Sequence, residues 1–310
     1  MTPPPRFLGL DTIMIDVVLK VAGLPGRGLD EVATNRLVTA GGGFNALSAA
    51  ARQGMTATYL GQVGSGPFAD IALRALGEEG IDVPIRPTSD LDLGLCLVLV
   101  EQDGERTFVT SPGAEGRLSA DELATVELFS GDVLFMSGYD VVYPDIGTQV
   151  ITWLRSVPDG VVVAFDPGPR VMDIPVDRLD EVLARSDWFL CNAHEATSLT
   201  GESGLEAAAE RLLARTGRQG VVIRDGADGC YLARPREATL QVRAVPADVV
   251  DTNGAGDVHN GVFLAEVSRG TSLLEALQRA NIAASIAIGH LGPATCPRRD
   301  VVSARWKRAY

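Results

Sequence analysis

Short apolar runs recur along the chain, and several stop on a polar residue. Phe7 to Leu10 ends at Asp11, Val161 to Phe165 at Asp166, and Trp188 to Cys191 at Asn192. Val133 to Met136 and Thr56 to Leu60 are further runs of this kind. Runs this short and this apolar suit strands buried on both faces. Between them lie stretches with helical spacing or composition: the Ala-rich 44–53, then 67–79, 205–215 and 273–288. Strands alternating with helices predict an α/β fold, a central, mostly parallel sheet flanked by helices. Ligands in such sheets bind beyond the carboxyl ends of the strands, where Asp11, Asp166 and Asn192 are expected.

Two stretches break the alternation. Ile13 to Val21 goes with Val32 to Ala40, and Leu95 to Val100 goes with Thr107 to Thr110 across a hairpin-like turn, Glu101 to Arg106. Read alone, these are an antiparallel edge.

The segment Asp251-Thr252-Asn253-Gly254-Ala255-Gly256-Asp257 carries the chemistry. An apolar stretch follows it, so a helix start is expected here. N–H groups in the first turn of a helix lack intrahelical partners and carry the positive end of its dipole. With almost no side chains at Gly254, Ala255 and Gly256, an anion such as phosphate can approach them. Asp257 would repel that anion but can take a proton from an incoming hydroxyl. The plainer alternative is a capped helix, with Asp251 or Thr252 as N-cap after a glycine turn.

Asp-Thr-x-Gly-Ala-Gly-Asp is similar to the second signature of the ribokinase, or PfkB, family of carbohydrate kinases. Gly41-Gly42-Gly43-Phe44-Asn45 resembles that family's diglycine and sugar-binding Asn, and Asp11 its early sugar ligand. Asn192-Ala193-His194-Glu195 resembles its Asn-x-x-Glu element, and Arg224 to Gly229 its nucleotide-side strand and turn. The matches follow family order over roughly residues 6 to 300. The resemblance implies one ribokinase-like domain over residues 1–310, with a small β lid from about 12–40 and 94–112. It implies a carbohydrate kinase, a phosphotransferase with an alcohol acceptor, that moves the γ-phosphate of ATP to a monosaccharide or sugar acid. Asp257 would be the general base, with Gly254, Ala255 and Gly256 as anion hole. Asp11, Gly42, Gly43 and Asn45 would face the sugar, and Arg106 or Arg170 could reach an acidic one. Asn192, Arg224, Gly226, Gly229, Gly254, Gly256 and Asn281 would face the nucleotide. Magnesium would lie near Asn192 and Glu195 through water. Asp251, Asn253 and Gly292 mark a candidate site for a monovalent cation such as potassium. A homodimer paired through the lid is also implied.

The residues allow bland readings as well. Asn192 and Glu195 can cap a helix, Arg224 can pair with Asp225 or Asp228 at the surface, and Gly226 and Gly229 can be hairpin glycines. His259 stands where the family usually has Phe, and His290 near the position of a frequent Arg. Pro293 puts the cation site in question, and Ser65 replaces a frequent Asp.

Two alternatives remain at this level. One is a nucleoside kinase of the same family, although aromatic residues are only 5% of the chain and no stacking set is evident. The other is a nicotinamide (NAD)-dependent dehydrogenase: Gly64-Ser65-Gly66-Pro67-Phe68-Ala69 fits a dinucleotide fingerprint, with Asp82 further on. A net charge of −13 with no offsetting basic block excludes a nucleic-acid surface. Cysteines 96, 191, 230 and 296 lack metal or redox spacing and read as free thiols of a cytoplasmic protein. Met1 to Pro5 does not resemble a signal peptide, and no run reaches the roughly 20 apolar residues that a membrane span needs.

Overall fold

Two sheets of unequal size organise the structure, a computed structural model that describes residues 4–310 apart from Ser89, Asp103, Gly104, Gly217 and Pro293. Along the chain come β1 (Arg6–Gly9), β2 (Ile13–Lys20), β3 (Asn35–Gly42), α1 (Phe44–Arg52), β4 (Thr56–Tyr59) and α2 (Pro67–Glu78). Next are β5 (Leu95–Val100), β6 (Arg106–Ser111), α3 (Ala120–Leu123), β7 (Val133–Ser137), α4 (Tyr139–Val142) and α5 (Pro144–Leu154). β8 (Val162–Asp166), α6 (Val176–Arg185), β9 (Trp188–Asn192), α7 (Ala193–Thr200), α8 (Leu205–Thr216) and β10 (Gly220–Arg224) continue the alternation. β11 (Cys230–Ala233), β12 (Leu240–Val242), α9 (Ala255–Ser268), α10 (Leu273–Ala287) and α11 (Arg299–Ala309) complete it.

The large sheet has the order β12-β11-β10-β9-β8-β7-β1-β4. Its pairs from β4 to β10 are parallel, and β11 and β12 add an antiparallel edge. Side chains alternate across each strand, so neighbours go to opposite faces. Phe7, Val133, Phe135, Trp188 and Leu190 join the core beneath α1, α9 and α10. Leu8, Leu134, Met136, Phe189 and Cys191 join the core on the other face with α5, α6 and α8. This two-sided burial is why the runs are apolar throughout rather than alternating.

The chain leaves β1 for β4 on one side and returns to β7 on the other. The order therefore reverses between β1 and β7, and a crevice opens at their carboxyl ends. β3, β2, β5 and β6 form a separate four-stranded sheet rather than an edge of the large one. β2 pairs with β5 in parallel, which a simple hairpin reading does not anticipate. The strands of the expected hairpin do pair, Val100 with Arg106 at its base, while Asp103 and Gly104 lie outside the described residues. Met1 to Pro3 lie outside them as well. All four cysteines are free thiols. Among the described residues no helix is long and apolar enough to cross a membrane.

Candidate active site between the two sheets

The carboxyl ends of the parallel strands and the inner face of the small sheet enclose a cavity of about 890 Å³. Asp11, Asn45, Asp166, Glu195, Arg224, Asn253 and Asp257 all line it. Residues 246 positions apart in sequence, Asp11 and Asp257, meet here because β1 lies between β4 and β7 and α9 packs on α1.

α9 begins at Ala255, and the residue at its N-cap is Gly254, not Asp251 or Thr252. Gly254 adopts φ 72°, a left-handed conformation that costs glycine little, and among the described residues no side chain caps this end of the helix. Asn253 and Asp257, on either side of this turn, line the cavity, while Gly254, Ala255 and Gly256 are not part of its lining. Of the expected donors, the Ala255 N–H already makes a long bond to the Thr252 carbonyl, 3.3 Å, which an anion would have to replace.

Asp257 sits in the first turn, half-buried in the cavity wall. Burial raises its pKa to about 7, and the negative charge of Asp166 adds to the effect. The Asn45 amide donates to Asp257 Oδ2 at 3.2 Å, while its oxygen accepts from the Ala294 N–H at 2.8 Å. An amide has two hydrogens, so one bond to Asp257 does not exhaust it. Gly42 and Gly43 let the chain turn tightly here: a Cβ at Gly43 would lie 2.1 Å from the Asp11 carbonyl.

Asp11 accepts from the Ser137 hydroxyl, bridging the ends of β1 and β7 at the crevice. The Ser137 N–H donates to Asp140 Oδ2 at 2.7 Å, and the other Asp140 oxygen has no partner among the described residues. Burial holds Asp140 at about 7. Asp11 lies well above the usual carboxylate range, through burial first and then the charges of Asp140 and Asp257. Asp16 of β2, also buried in the cavity wall, is pushed up to about 6 by burial.

Arg224 is not a surface cation paired with Asp225 or Asp228. It lies in the cavity wall, bonded to Asp166 Oδ2 at 2.9 Å and to Asn260, beside Gly256. Asn260 donates to the same Asp166 oxygen at 2.7 Å. Asn192 and Glu195 form a complete capping box at the start of α7. The Asn192 oxygen accepts from the Glu195 N–H, and the Glu195 carboxylate accepts from the Asn192 N–H, both at 2.8 Å. Glu195 is nonetheless in the cavity wall and pushed up to about 7, by burial and by the charge of Asp166.

Other expectations need correction. Arg106 does not line the cavity; its guanidinium is spent on Asp251. Asp251 also accepts from the Asn253 and Gly292 N–H groups, at 2.8 and 2.9 Å. With its carboxylate engaged by Arg106 and two N–H groups, Asp251 has its backbone carbonyl to offer a monovalent cation. Among the described residues no group of three or more His, Cys, Asp or Glu side chains is arranged to hold a metal, and Pro293 lies outside them. Asn281 is buried and gives its amide hydrogens to the Val242 and Arg243 carbonyls, at 3.2 and 3.0 Å, so it secures the end of β12. Gly229 serves the hairpin, since a Cβ there would lie 2.1 Å from the Val242 carbonyl; Gly226 faces open space. His259 is buried beside the Asn281 side chain; among the described residues its ring nitrogens make no hydrogen bond of normal geometry, and burial lowers its pKa to about 3. His290 is exposed, its ring bonded to the Ile286 carbonyl.

The dinucleotide fingerprint fails on its own geometry. At the start of α2 the Phe68 and Ala69 N–H groups donate to the Asp92 carboxylate, at 3.2 and 2.9 Å, so the anion site is filled by the chain itself. A sequence reading also misses some of the cavity wall. Asp16, Glu115 and Ser137 were not singled out, although an aspartate inside the apolar run of β2 was a usable signal. Phe108, Phe135, Tyr139 and Tyr143 converge on the cavity from separate segments, which no local pattern announces.

An uncapped helix start, a half-buried carboxylate in its first turn and the inner face of the small sheet thus meet around one cavity of an α/β fold. The pfkB family carbohydrate kinase pattern matches residues 7–299. A sugar kinase of Escherichia coli (strain K12), YegV, described as uncharacterized, is 32% identical over 301 residues, covering 93% of this chain and 89% of that one. The solved ribokinase of Thermotoga maritima superposes with a TM-score of 0.83 at 25% identity, covering 98% of this chain and 99% of that one. Arabidopsis thaliana ribokinase, solved with ribose and ATP, shares the fold with a TM-score of 0.83 at 24% identity, covering 99% of each chain. The chain belongs to the pfkB family of carbohydrate kinases, and it is a sugar kinase of ribokinase-like fold.

Proposed function

We propose that the protein transfers the γ-phosphoryl group of ATP to a hydroxyl of a monosaccharide or sugar acid, with Asp257 as general base. The observation that carries this reading is a half-buried carboxylate in the cavity wall, raised to about 7, in the first turn of a helix whose start has no side-chain cap among the described residues. Asp257 accepts the proton of the acceptor hydroxyl. That oxygen forms a bond to the γ-phosphorus as the bond to the ADP oxygen breaks, and ADP leaves. The N–H groups of residues 254–256 take up charge on the transferring oxygens. Asp11 and Asn45 orient the acceptor hydroxyls, and Arg224, beside Gly256, faces the phosphates.

Glu195, with Asn192, would hold magnesium through water, since its oxygens are engaged in the capping box. Magnesium, when bound, offsets the charge of the phosphate oxygens. The reading extends to a cytoplasmic homodimer. Its support is an apolar row, Val38, Val17, Leu97 and Val109, in register across the small sheet, with Val38 and Val109 exposed. A sugar acid is supported by Arg170, which lines the cavity, lies over Tyr143 and is paired with exposed Asp173. A nucleoside acceptor is the second reading, favoured by the four aromatic rings in the cavity wall.

The test is ADP release with Mg-ATP across sugars, sugar acids and nucleosides, with Asp257→Asn in parallel. A substrate-dependent signal lost in the variant is expected. Turnover retained by Asp257→Asn removes Asp257 as base, and silence from folded protein that binds no ATP removes the kinase reading.

A further inference from the structure

Asp251 joins three segments that lie far apart in sequence. Asn253, bonded to its Oδ1, leads into the Gly254 turn and α9. The Gly292 N–H is bonded to its Oδ2, and the Ala294 N–H, two residues on, holds Asn45. Arg106, bonded to Oδ1, is the first residue of β6 in the small sheet. Asp251 is only 8% exposed, and the Arg106 side chain 24%. A carboxylate this buried gives up most of its contact with water, and a guanidinium beside it supplies hydrogen bonds in return. Asn45 in turn bonds the proposed base, so the whole chain of contacts runs from the small sheet to Asp257.

We propose that Arg106 is a positioning residue: by bonding Asp251 it couples the seating of the small sheet over the cavity to the set of the Gly254–Asp257 turn. When the sheet is seated, the carboxylate is neutralised and both loops are held. When it lifts, Asp251 loses its cation and the turn loses a support. The consequence rests on the phosphoryl-transfer reading above. A turn fully set only under a closed cavity favours transfer to the acceptor over transfer to water.

The experiment uses the full chain with Arg106→Gln, Asp251→Asn and the double variant. Hydrogen–deuterium exchange of the ligand-free protein comes first, because it needs no activity and so separates this proposal from the kinase reading. Faster exchange across 251–258 in folded Arg106→Gln is expected. Unchanged exchange there would overturn the proposal. On the acceptor identified by the panel, each single variant should lower kcat by about 10- to 100-fold, the scale of a small misplacement at a reacting centre. Acceptor-independent ADP release should rise relative to transfer, and the double variant should be no worse than the weaker single. Additive losses, or a lowered melting temperature with unchanged kcat and unchanged release ratio, would also overturn it. If Asp251→Asn does not fold, Arg106→Gln alone decides the matter through exchange and the release ratio.

Discussion

Asp257→Asn is expected to abolish transfer and, at neutral pH, to stabilise the ligand-free fold. Burial and the neighbouring Asp166 raise this carboxyl from 3.8 to about 7. Between those values the unfolded chain is ionised while the folded chain holds the proton, so wild-type stability falls as pH rises and the penalty is complete above about 7. At about 1.4 kcal/mol per pH unit, the penalty is about 4 kcal/mol above pH 7, about 2 near pH 5 and under about 1 near pH 4. Asparagine cannot ionise and keeps an oxygen for the Asn45 amide, so the difference between the two proteins should follow that curve above a constant offset. Denaturant unfolding of both proteins at a series of pH values measures it. The same ionisation should govern catalysis: wild-type kcat/KM should drop about tenfold per pH unit below about 7, since it reports the free enzyme. A stability difference that is flat from about pH 4 to 8 would refute the argument that burial holds this carboxyl neutral. A kcat/KM flat over the same range would refute its role as base.

Other expected outcomes follow from the same geometry. His259→Phe removes two buried nitrogens that make no hydrogen bond of normal geometry among the described residues and should stabilise the protein by about 1–2 kcal/mol. Because the folded histidine is depressed to about 3, wild-type stability is lost as pH falls below about 6.5. The gain from His259→Phe should therefore grow in acid, and thermal melts at two pH values check it. Gly254→Ala puts a Cβ 3.0 Å from the Asn45 amide on a backbone at φ 72°, so kcat should fall with a stability loss of about 1–2 kcal/mol. Glu195→Gln should weaken the magnesium dependence of turnover by about 10- to 100-fold, read from a magnesium titration at saturating ATP. An unchanged titration would remove Glu195 from the magnesium site.

The sequence by itself determined the layers. Apolar runs at 7–10, 133–136, 161–165 and 188–191 can be satisfied only between two covering layers, and they became interior parallel strands. It also determined where the chemistry begins, because polar residues at the ends of those runs, and the glycines before Asp257, mark a crevice and a helix start. Local pattern could not say how separate segments combine. The small sheet is held by a parallel pairing between β2 and β5, a contact across some 80 residues that no turn signals. The fates of Arg106 and Arg224 were equally non-local: one was drawn to Asp251 and the other to Asp166 and Asn260 once the fold brought opposite charges together. The gathering of Asp11, Asp16, Asp140 and Asp257 also belongs to the tertiary structure. An isolated aspartate titrates near 3.9 wherever it stands in a sequence; only enclosure from water, beside other carboxylates, raises it toward neutrality.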